Sequence, residues 1–271
     1  MIITVAMQKG GTGKTTTAAA LAQAGAVRGA RVLAVDIDPQ ANLTYALGAY
    51  STKGANSYNL FLKEPASAQI QKTAQGVHVI PASWDLSTVT SAKGSARRLQ
   101  DALRLIKKEY DLIIIDTPPT AGELQYNALQ AADSLIIPLQ ADMYNIQSLA
   151  QTAAAAQAII QSNPNLKPAG ILLTQYNGTT DISRQMFRAI INRAVLDMKL
   201  PYLGAVRAGD QIREAAALQK SLYDYAPKSA PAKDYMDIFH YLTGYQFTES
   251  KEEHEKPKKQ KKRKAQELQE V

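Results

Sequence analysis

Residues 8 to 16 read Gln8-Lys9-Gly10-Gly11-Thr12-Gly13-Lys14-Thr15-Thr16. These residue types, in this order, suit the binding of a polyphosphate. Glycines let backbone N–H groups approach phosphate oxygens, a lysine reaches the outer phosphates, and a hydroxyl sits on a metal ion. Gly13-Lys14-Thr15 supplies all three. The general phosphate-loop pattern has glycine five places before Gly13, where this chain has Gln8. A second lysine, Lys9, stands at the start of the loop instead. One nucleotide within one subunit does not need that second cation. Lys9 makes sense if it reaches phosphates held by a second subunit.

Three carboxylates complete the candidate chemistry. Asp36 and Asp38 lie in Val35-Asp36-Ile37-Asp38-Pro39-Gln40, and Asp116 closes an apolar run before Thr117-Pro118-Pro119. An apolar strand ending in Asp is the usual second half of a phosphate-loop site, where the carboxylate orients the metal and its waters. One such Asp could simply cap a helix. Three with these flanks argue for a ligand site.

Strands and helices must position these groups. The run 1–7 is short and β-rich and ends at the loop, and 16–24 reads as a helix whose N-terminus faces the phosphates. Further β-rich runs fall at 31–36, 77–80, 112–116, 134–138, 170–174 and 202–206. Several are apolar without alternation, as parallel strands covered on both faces are. Helical patterns near 92–109, 145–162, 181–198, 210–219 and 231–243 lie between or after them. This order predicts an α/β fold: a doubly wound, mostly parallel sheet of about seven to eight strands. Ligands in such sheets bind at the carboxyl ends of strands, which gathers all three acids near the loop. A domain over 1–247 and a tail over 248–271 are expected.

Composition limits the alternatives. The 271 residues are 45% hydrophobic, ordinary for a chain that buries a full core. There is no cysteine, which excludes disulfides and thiolate-held zinc or iron–sulfur sites. The N-terminus is already strand and loop, so no signal peptide is expected. No apolar run reaches the ~20 residues of a membrane span. The net charge is +7, yet residues 256–264 alone carry seven basic residues; without them 24 basic groups face 24 acidic ones. From Thr248 onward charge dominates, which predicts a disordered basic tail. Such a tail either aids solubility or contacts a polyanion: a nucleic-acid backbone or an anionic membrane.

With these residues in hand, the chain resembles the ParA/MinD family of deviant-Walker ATPases, and within it the short, Soj-like ParA partition proteins. The likeness is carried by residues 9–16, by Asp36-Ile37-Asp38-Pro39-Gln40 and by Asp116-Thr117-Pro118-Pro119. It extends more loosely to Pro138-Leu139-Gln140-Ala141-Asp142, Leu172-Leu173-Thr174 and residues 225–230, and covers about 1–245. The resemblance implies ATP and Mg²⁺ as cofactors, with the loop from Lys9 to Thr16 as the nucleotide site. Lys14 would hold the β- and γ-phosphates and Thr15 would ligate Mg²⁺, with Asp36 and Asp116 on the metal side. Asp38 would position the attacking water. Lys9 would act across a nucleotide-sandwich homodimer, much as an arginine finger does. Asn177 would contact the base, although an ordinary turn at Asn177-Gly178 suits it as well.

Three relatives within the family are disfavoured. A membrane-binding C-terminal helix is not expected, because between 248 and 271 only Leu268 and Val271 are large aliphatics. Iron–sulfur carriers need cysteines. A DNA-reading helix-turn-helix has no room before Ile2. What is left implies an ATP-bound dimer that binds DNA non-specifically, in the cytoplasm and on the nucleoid, with a ParB-like centromere-binding partner stimulating hydrolysis. The expected DNA contacts are Arg184, Arg207, Arg213 and Lys220, with Arg188 also a candidate. A nucleotide-gated positioning or adaptor ATPase with a protein cargo would share all these motifs. A metabolic phosphate-loop enzyme would leave Lys9 unexplained. Two departures from the family pattern stand out: Ala41 where glycine is usual after Asp-Pro-Gln, and Ala205-Val206-Arg207 in place of Ile-Pro-Arg.

Overall fold

The computed structural model describes residues 1–51, 55–62, 68–90, 95–142, 145–244 and 247. The expected tail, 248–271, lies outside them. The chain runs β1 (Ile2–Val5), α1 (Lys14–Val27), β2 (Val32–Asp36), α2 (Asn42–Ala46), β3 (Gln71–Lys72), β4 (His78–Ile80), α3 (Arg98–Ile106) and β5 (Leu112–Asp116). It continues α4 (Glu123–Ala131), β6 (Ser134–Leu139), α5 (Asn145–Ile160), β7 (Lys167–Tyr176), α6 (Asp181–Asn192), β8 (Tyr202–Arg207), α7 (Gln211–Ala217), α8 (Leu222–Tyr225) and α9 (Ala230–Thr243).

All eight strands join one sheet in the order β3-β4-β2-β5-β1-β6-β7-β8. Every pairing is parallel except β3 with β4. The chain leaves β1 toward β2 on one side and later fills the other side with β6 to β8. Strand order therefore reverses at β1, and the phosphate loop leaves the end of that strand, where open sheets of this kind bind ligands. Register places Val5 beside Asp116 and Asp116 beside Asp36.

The strands lack polar alternation because both faces are covered. Ile3, Val5, Val32, Ala34, Leu112 and Ile114 pack toward α1 and α9, while Ile2, Leu33, Val35, Ile113 and Ile115 face α3 and α4. α1 is buried nearly all round, so it is alanine-rich rather than striped. It lies close against the sheet and against α9 because its side chains are small.

The departures from the sequence reading have physical causes. α4 was not expected: its Gln125, Asn127 and Gln130 are buried by hydrogen bonding rather than by apolarity, which erases the periodic signal. α2, α8 and β3 are too short to show a period. The helix expected over 181–198 ends at Asn192 and passes into a π turn, Arg193–Asp197. The helix expected over 92–109 narrows to α3, with 3₁₀ turns at Ser95–Arg97 and Lys107–Glu109.

Gly25 in α1 shows how tight this packing is. A Cβ there would lie 2.7 Å from Val32 Cγ2 and 3.4 Å from Phe239 Cε2. Helix propensity alone favours alanine by about 1 kcal/mol. Overpacking against a stiff β-branched neighbour costs about 1–3 kcal/mol. Gly25→Ala is expected to lower the urea midpoint; a midpoint raised by the propensity term would contradict this packing.

Candidate functional site

The loop between β1 and α1 is shaped by backbone conformation. Gly11 and Gly13 have φ of 74° and 90°, in the left-handed region where glycine carries no penalty. At Gly10 and Gly11 an added Cβ would meet nothing within 4 Å, so the outer side of the loop is bare. At Gly13 it would press on Thr174 Cγ2 at 3.1 Å. Thr174 Oγ1 donates to Thr12 O at 2.8 Å, and Gln140 Nε2 donates to Gly11 O at 2.8 Å. The ends of β6 and β7 thus pin the loop from outside.

Lys14 and Lys9 play different parts. The Lys14 side chain is buried, and its Nζ donates to Lys9 O at 2.9 Å, folding the cation into the loop. Burial pulls its pKa down, opposed by the charges of Asp116 and Asp38. Lys9 lies on the rim, about one-third exposed, with Nζ 3.6 Å from Asp142 Oδ2. Its carbonyl serves Lys14 while its ammonium rests near Asp142.

The three acids lie where the sequence predicted. Thr15 Oγ1 donates to Asp116 Oδ2 at 2.7 Å, and Asp116 Oδ1 is buried with no hydrogen-bond partner among the described residues. Asp36 is occupied locally. Its Oδ1 accepts from Asp38 N at 3.1 Å; its Oδ2 accepts from Thr44 N at 2.8 Å and Thr44 Oγ1 at 2.7 Å. Asp38 Oδ1 accepts from Gln40 N at 3.0 Å, an Asx turn that shapes the segment after β2. Burial pushes Asp36 up to about 6 and Asp116 well above the carboxylate range, the latter also through the charge of Asp36.

A bare glycine loop, an inward lysine, a threonine hydroxyl and an orphaned buried carboxylate oxygen fit a phosphate chain with a divalent cation. Thr16, on α1, lines a cavity of about 180 Å³ together with Gly13, Gln175, Val206, Ile212 and Arg213. This cavity beside the loop uses Val206, at the departure from the family pattern; another, of about 350 Å³, is lined by Thr15, Thr16, Asn42 and Tyr45 on the α2 side of α1. Asn177 instead forms a turn, its Oδ1 accepting from Thr179 N at 3.2 Å, and it does not line that cavity.

The expected DNA contacts fall on α6, β8, α7 and the turn after it, and Arg213 and Lys220 also line the cavities beside the loop. Arg184 pairs with Asp181 and donates to Gly178 O, and Arg213 pairs with Asp210. Arg207 grips Asp234 with Nε at 2.9 Å and Nη2 at 2.6 Å, and its own backbone N donates to the same carboxylate. Arg188 and Lys220 are exposed. The sequence reading gave no role to Thr44, Gln140 or Gln125. Thr44 ties Asp36 to Ala82 N, and Gln125 Oε1 accepts from Gln8 Nε2 at 2.8 Å. Gln140 and Thr174 lay inside blocks that carried the family likeness; Thr44 and Gln125 had no local signal.

The fold and loop define a phosphate-loop nucleotide-binding protein of the doubly wound class. A family model described as an AAA domain matches residues 1–168. The chromosome-partitioning ATPase Soj of Thermus thermophilus is 36% identical over 235 residues, which is 86% of this chain and 91% of that protein. A cobyrinic acid a,c-diamide synthase from Mycobacterium smegmatis, solved with ADP and magnesium, superposes with a TM-score of 0.75 at 31% identity, over 90% of this chain and 96% of that one. A putative plasmid partition protein from Borrelia burgdorferi, solved with AMPPNP, gives 0.74 at 25% identity, over 89% and 97%. The chain belongs to the ParA/MinD family of phosphate-loop ATPases, on its Soj-like side.

Two predictions follow from the geometry. Ala41 has φ 53° and ψ 33°, a left-handed conformation that costs a residue with a Cβ about 1–2 kcal/mol. Ala41→Gly removes that strain and adds about 0.5–1 kcal/mol of unfolded-state entropy. A net gain near 0.5–1 kcal/mol is expected in chemical denaturation; a loss would show that the conformation is unstrained. The second concerns pH. Asp36 and Asp116 both hold protons more tightly when folded than at the ordinary 3.8 of the unfolded chain. Their stabilising contribution is complete below that value and is lost as pH rises through about 6 for Asp36 and higher for Asp116. The nucleotide-free protein should therefore melt higher at about pH 5 than at about pH 7, and Asp116→Asn should flatten the difference.

Proposed function

We propose that the protein is a partition ATPase that forms an ATP-dependent homodimer, binds DNA without sequence preference and is stimulated by a ParB-like partner. The observation that carries this reading is the division of labour between two lysines. Lys14 is buried in its own loop, whereas Lys9 stands on the rim with its ammonium outside the loop. A rim cation beside a complete phosphate site has a use when a second copy brings another nucleotide to it.

In this reading Lys14 and the loop N–H groups hold the phosphates, and Thr15, Asp36 and Asp116 lie on the metal side. Mg²⁺–ATP, when bound, supplies the phosphoryl group to be transferred to water. Asp38 orients that water, and Asp36, held by Thr44, fixes the segment that carries Asp38. Lys9 of one copy neutralises charge at the other copy's phosphates. The work is positioning and charge neutralisation, with no covalent step on the protein. The base lies in the cavity beside Thr16, between Gly13, Gln175, Val206 and Ile212.

DNA contact falls on Arg184, Arg188, Arg213 and Lys220. The pairs Arg184–Asp181 and Arg213–Asp210 are exposed, and exposed pairs are worth so little that phosphate competes for the arginine. Arg207 is the most committed of the expected set, because its two-pronged pair with Asp234 ties β8 to α9. Residues 1–247 act as the ATPase domain, and the basic tail 248–271 adds a sequence-independent contact. A cytoplasmic, nucleoid-bound location accords with this reading, and no helix among the described residues is long and apolar enough to cross a membrane.

The test is binding to a non-specific duplex with ATP, ADP or no nucleotide at two salt concentrations. Binding that requires ATP and weakens steeply with salt is expected. Lys14→Ala should abolish it; Asp38→Ala should prolong it by blocking hydrolysis. Binding indifferent to nucleotide would assign the contact to the tail alone. No binding in any state would favour an adaptor ATPase with a protein cargo.

A further inference from the structure

Outside the loop and its carboxylates, one buried polar cluster has no role in the mechanism above. It centres on Gln75, in the turn between β3 and β4. Gln75 is buried, and its side-chain amide is fully engaged. Oε1 accepts from Gln23 Nε2 of α1 at 2.7 Å. Nε2 donates both hydrogens, one to Ala46 O at 3.0 Å and one to Gln219 O at 2.9 Å. One amide thus joins α1, the last turn of α2 and the end of α7. Gln23 Oε1 in turn accepts from Leu222 N at 3.1 Å, at the start of α8.

Gln219 reinforces the same junction. It closes α7 with φ 51°, a left-handed position where glycine is usual. The strain of a side chain there brings a contact: Gln219 Nε2 donates to Tyr45 O at 3.2 Å. Two carbonyls of the last turn of α2 are therefore capped by amides from elsewhere in the chain. α2 has only five residues and cannot hold its place by helix formation alone. Its other anchors are Leu43 and Leu47, buried in the core beside α1, and Thr44, whose hydroxyl and N–H bind Asp36.

The elements so joined flank the reaction site from two sides. α2 follows Asp38 directly and carries Thr44. α7 contributes Ile212 and Arg213 to the cavity beside the loop. We propose that Gln75 is a positioning residue for the ATPase reaction, holding the Asp38–Ala46 segment in register with helix α7 so that the base-side wall and the water-orienting carboxylate move as one unit. This rests on the ATPase reading above. Gln75 touches neither nucleotide nor water; it acts through α2.

Steady-state ATP hydrolysis by the full-length protein, with its DNA and partner where they stimulate it, provides the test. Rates are normalised to folded protein by near-UV circular dichroism. Gln75→Leu removes all three hydrogen bonds at similar volume, and Gln75→Glu keeps the acceptor but sets a carboxylate against two carbonyls. Both are expected to lower kcat about tenfold or more with KM changed less than about threefold, as loss of transition-state positioning does. Gln219→Gly separates positioning from stability. It removes the strained φ and the bond to Tyr45 together, so its melting midpoint should hold while kcat falls. A kcat equal to wild type in Gln75→Leu, or a fall that disappears on normalisation to folded protein, overturns the inference. A kcat that tracks stability across all three variants does the same. If wild type hydrolyses no ATP under any of these conditions, it is the ATPase reading that fails.

Discussion

Two aspartates lie side by side and fully buried at the ends of β2 and β5, with one buried lysine for a counter-charge. Much of the site can be understood as the means of holding them there. Carboxylates out of water are costly unless hydrogen-bonded or protonated. Asp36 is met by three protein donors, whereas Asp116 has one and keeps an oxygen unmatched. That asymmetry sorts their tasks. The satisfied carboxylate is a structural anchor for the segment after β2, and the other bonds the loop's Thr15 and keeps an oxygen without a partner among the described residues. Lys14 is held between a carbonyl of its own loop and two negative neighbours, poised for a phosphate that would displace the carbonyl.

Parallel packing makes this arrangement possible. Only a sheet whose central strands run in register brings Val5, Asp116 and Asp36 to one level, and only an alanine-rich α1 lets the helix N-terminus approach that level closely. Gly25 and the small residues of α1 are therefore as necessary to the site as the loop glycines. The segment after Asp38 is built differently. It holds a left-handed Ala41, an Asx turn and a five-residue helix, anchored in the core by Leu43 and Leu47 and tied down further by side-chain bonds from distant parts of the chain.

The two lysines are set apart within one loop. Lys9 contributes its carbonyl to the Lys14 ammonium, while its own ammonium rests near Asp142. Of the basic residues expected to meet DNA, Arg184, Arg207 and Arg213 are matched by aspartates within the fold.

The loop and the three carboxylates at strand ends were legible from residue types and spacing because such a site is made by contiguous backbone and by strand ends, both local in sequence. The strands were legible because burial on two faces leaves unbroken apolar runs. Ala41 could be marked as a departure from the family, but its left-handed backbone appears only in three dimensions. α4 was illegible, since buried amides (Gln125, Asn127, Gln130) are interleaved with its buried aliphatic residues and break the apolar period. The roles of Thr44, Gln75, Gln125 and Gln219 were hidden for the same reason: a glutamine or threonine has no periodic signature, and its partners lie 8 to 174 residues away. By itself the sequence determined the sheet, the loop and the identity of the acids, because these follow from local hydrophobicity and from glycine and lysine chemistry. Only the tertiary structure decided which carboxylate is satisfied, which arginines are already paired and what holds α2 in place, because those depend on hydrogen bonds between segments that the order of residues does not bring together.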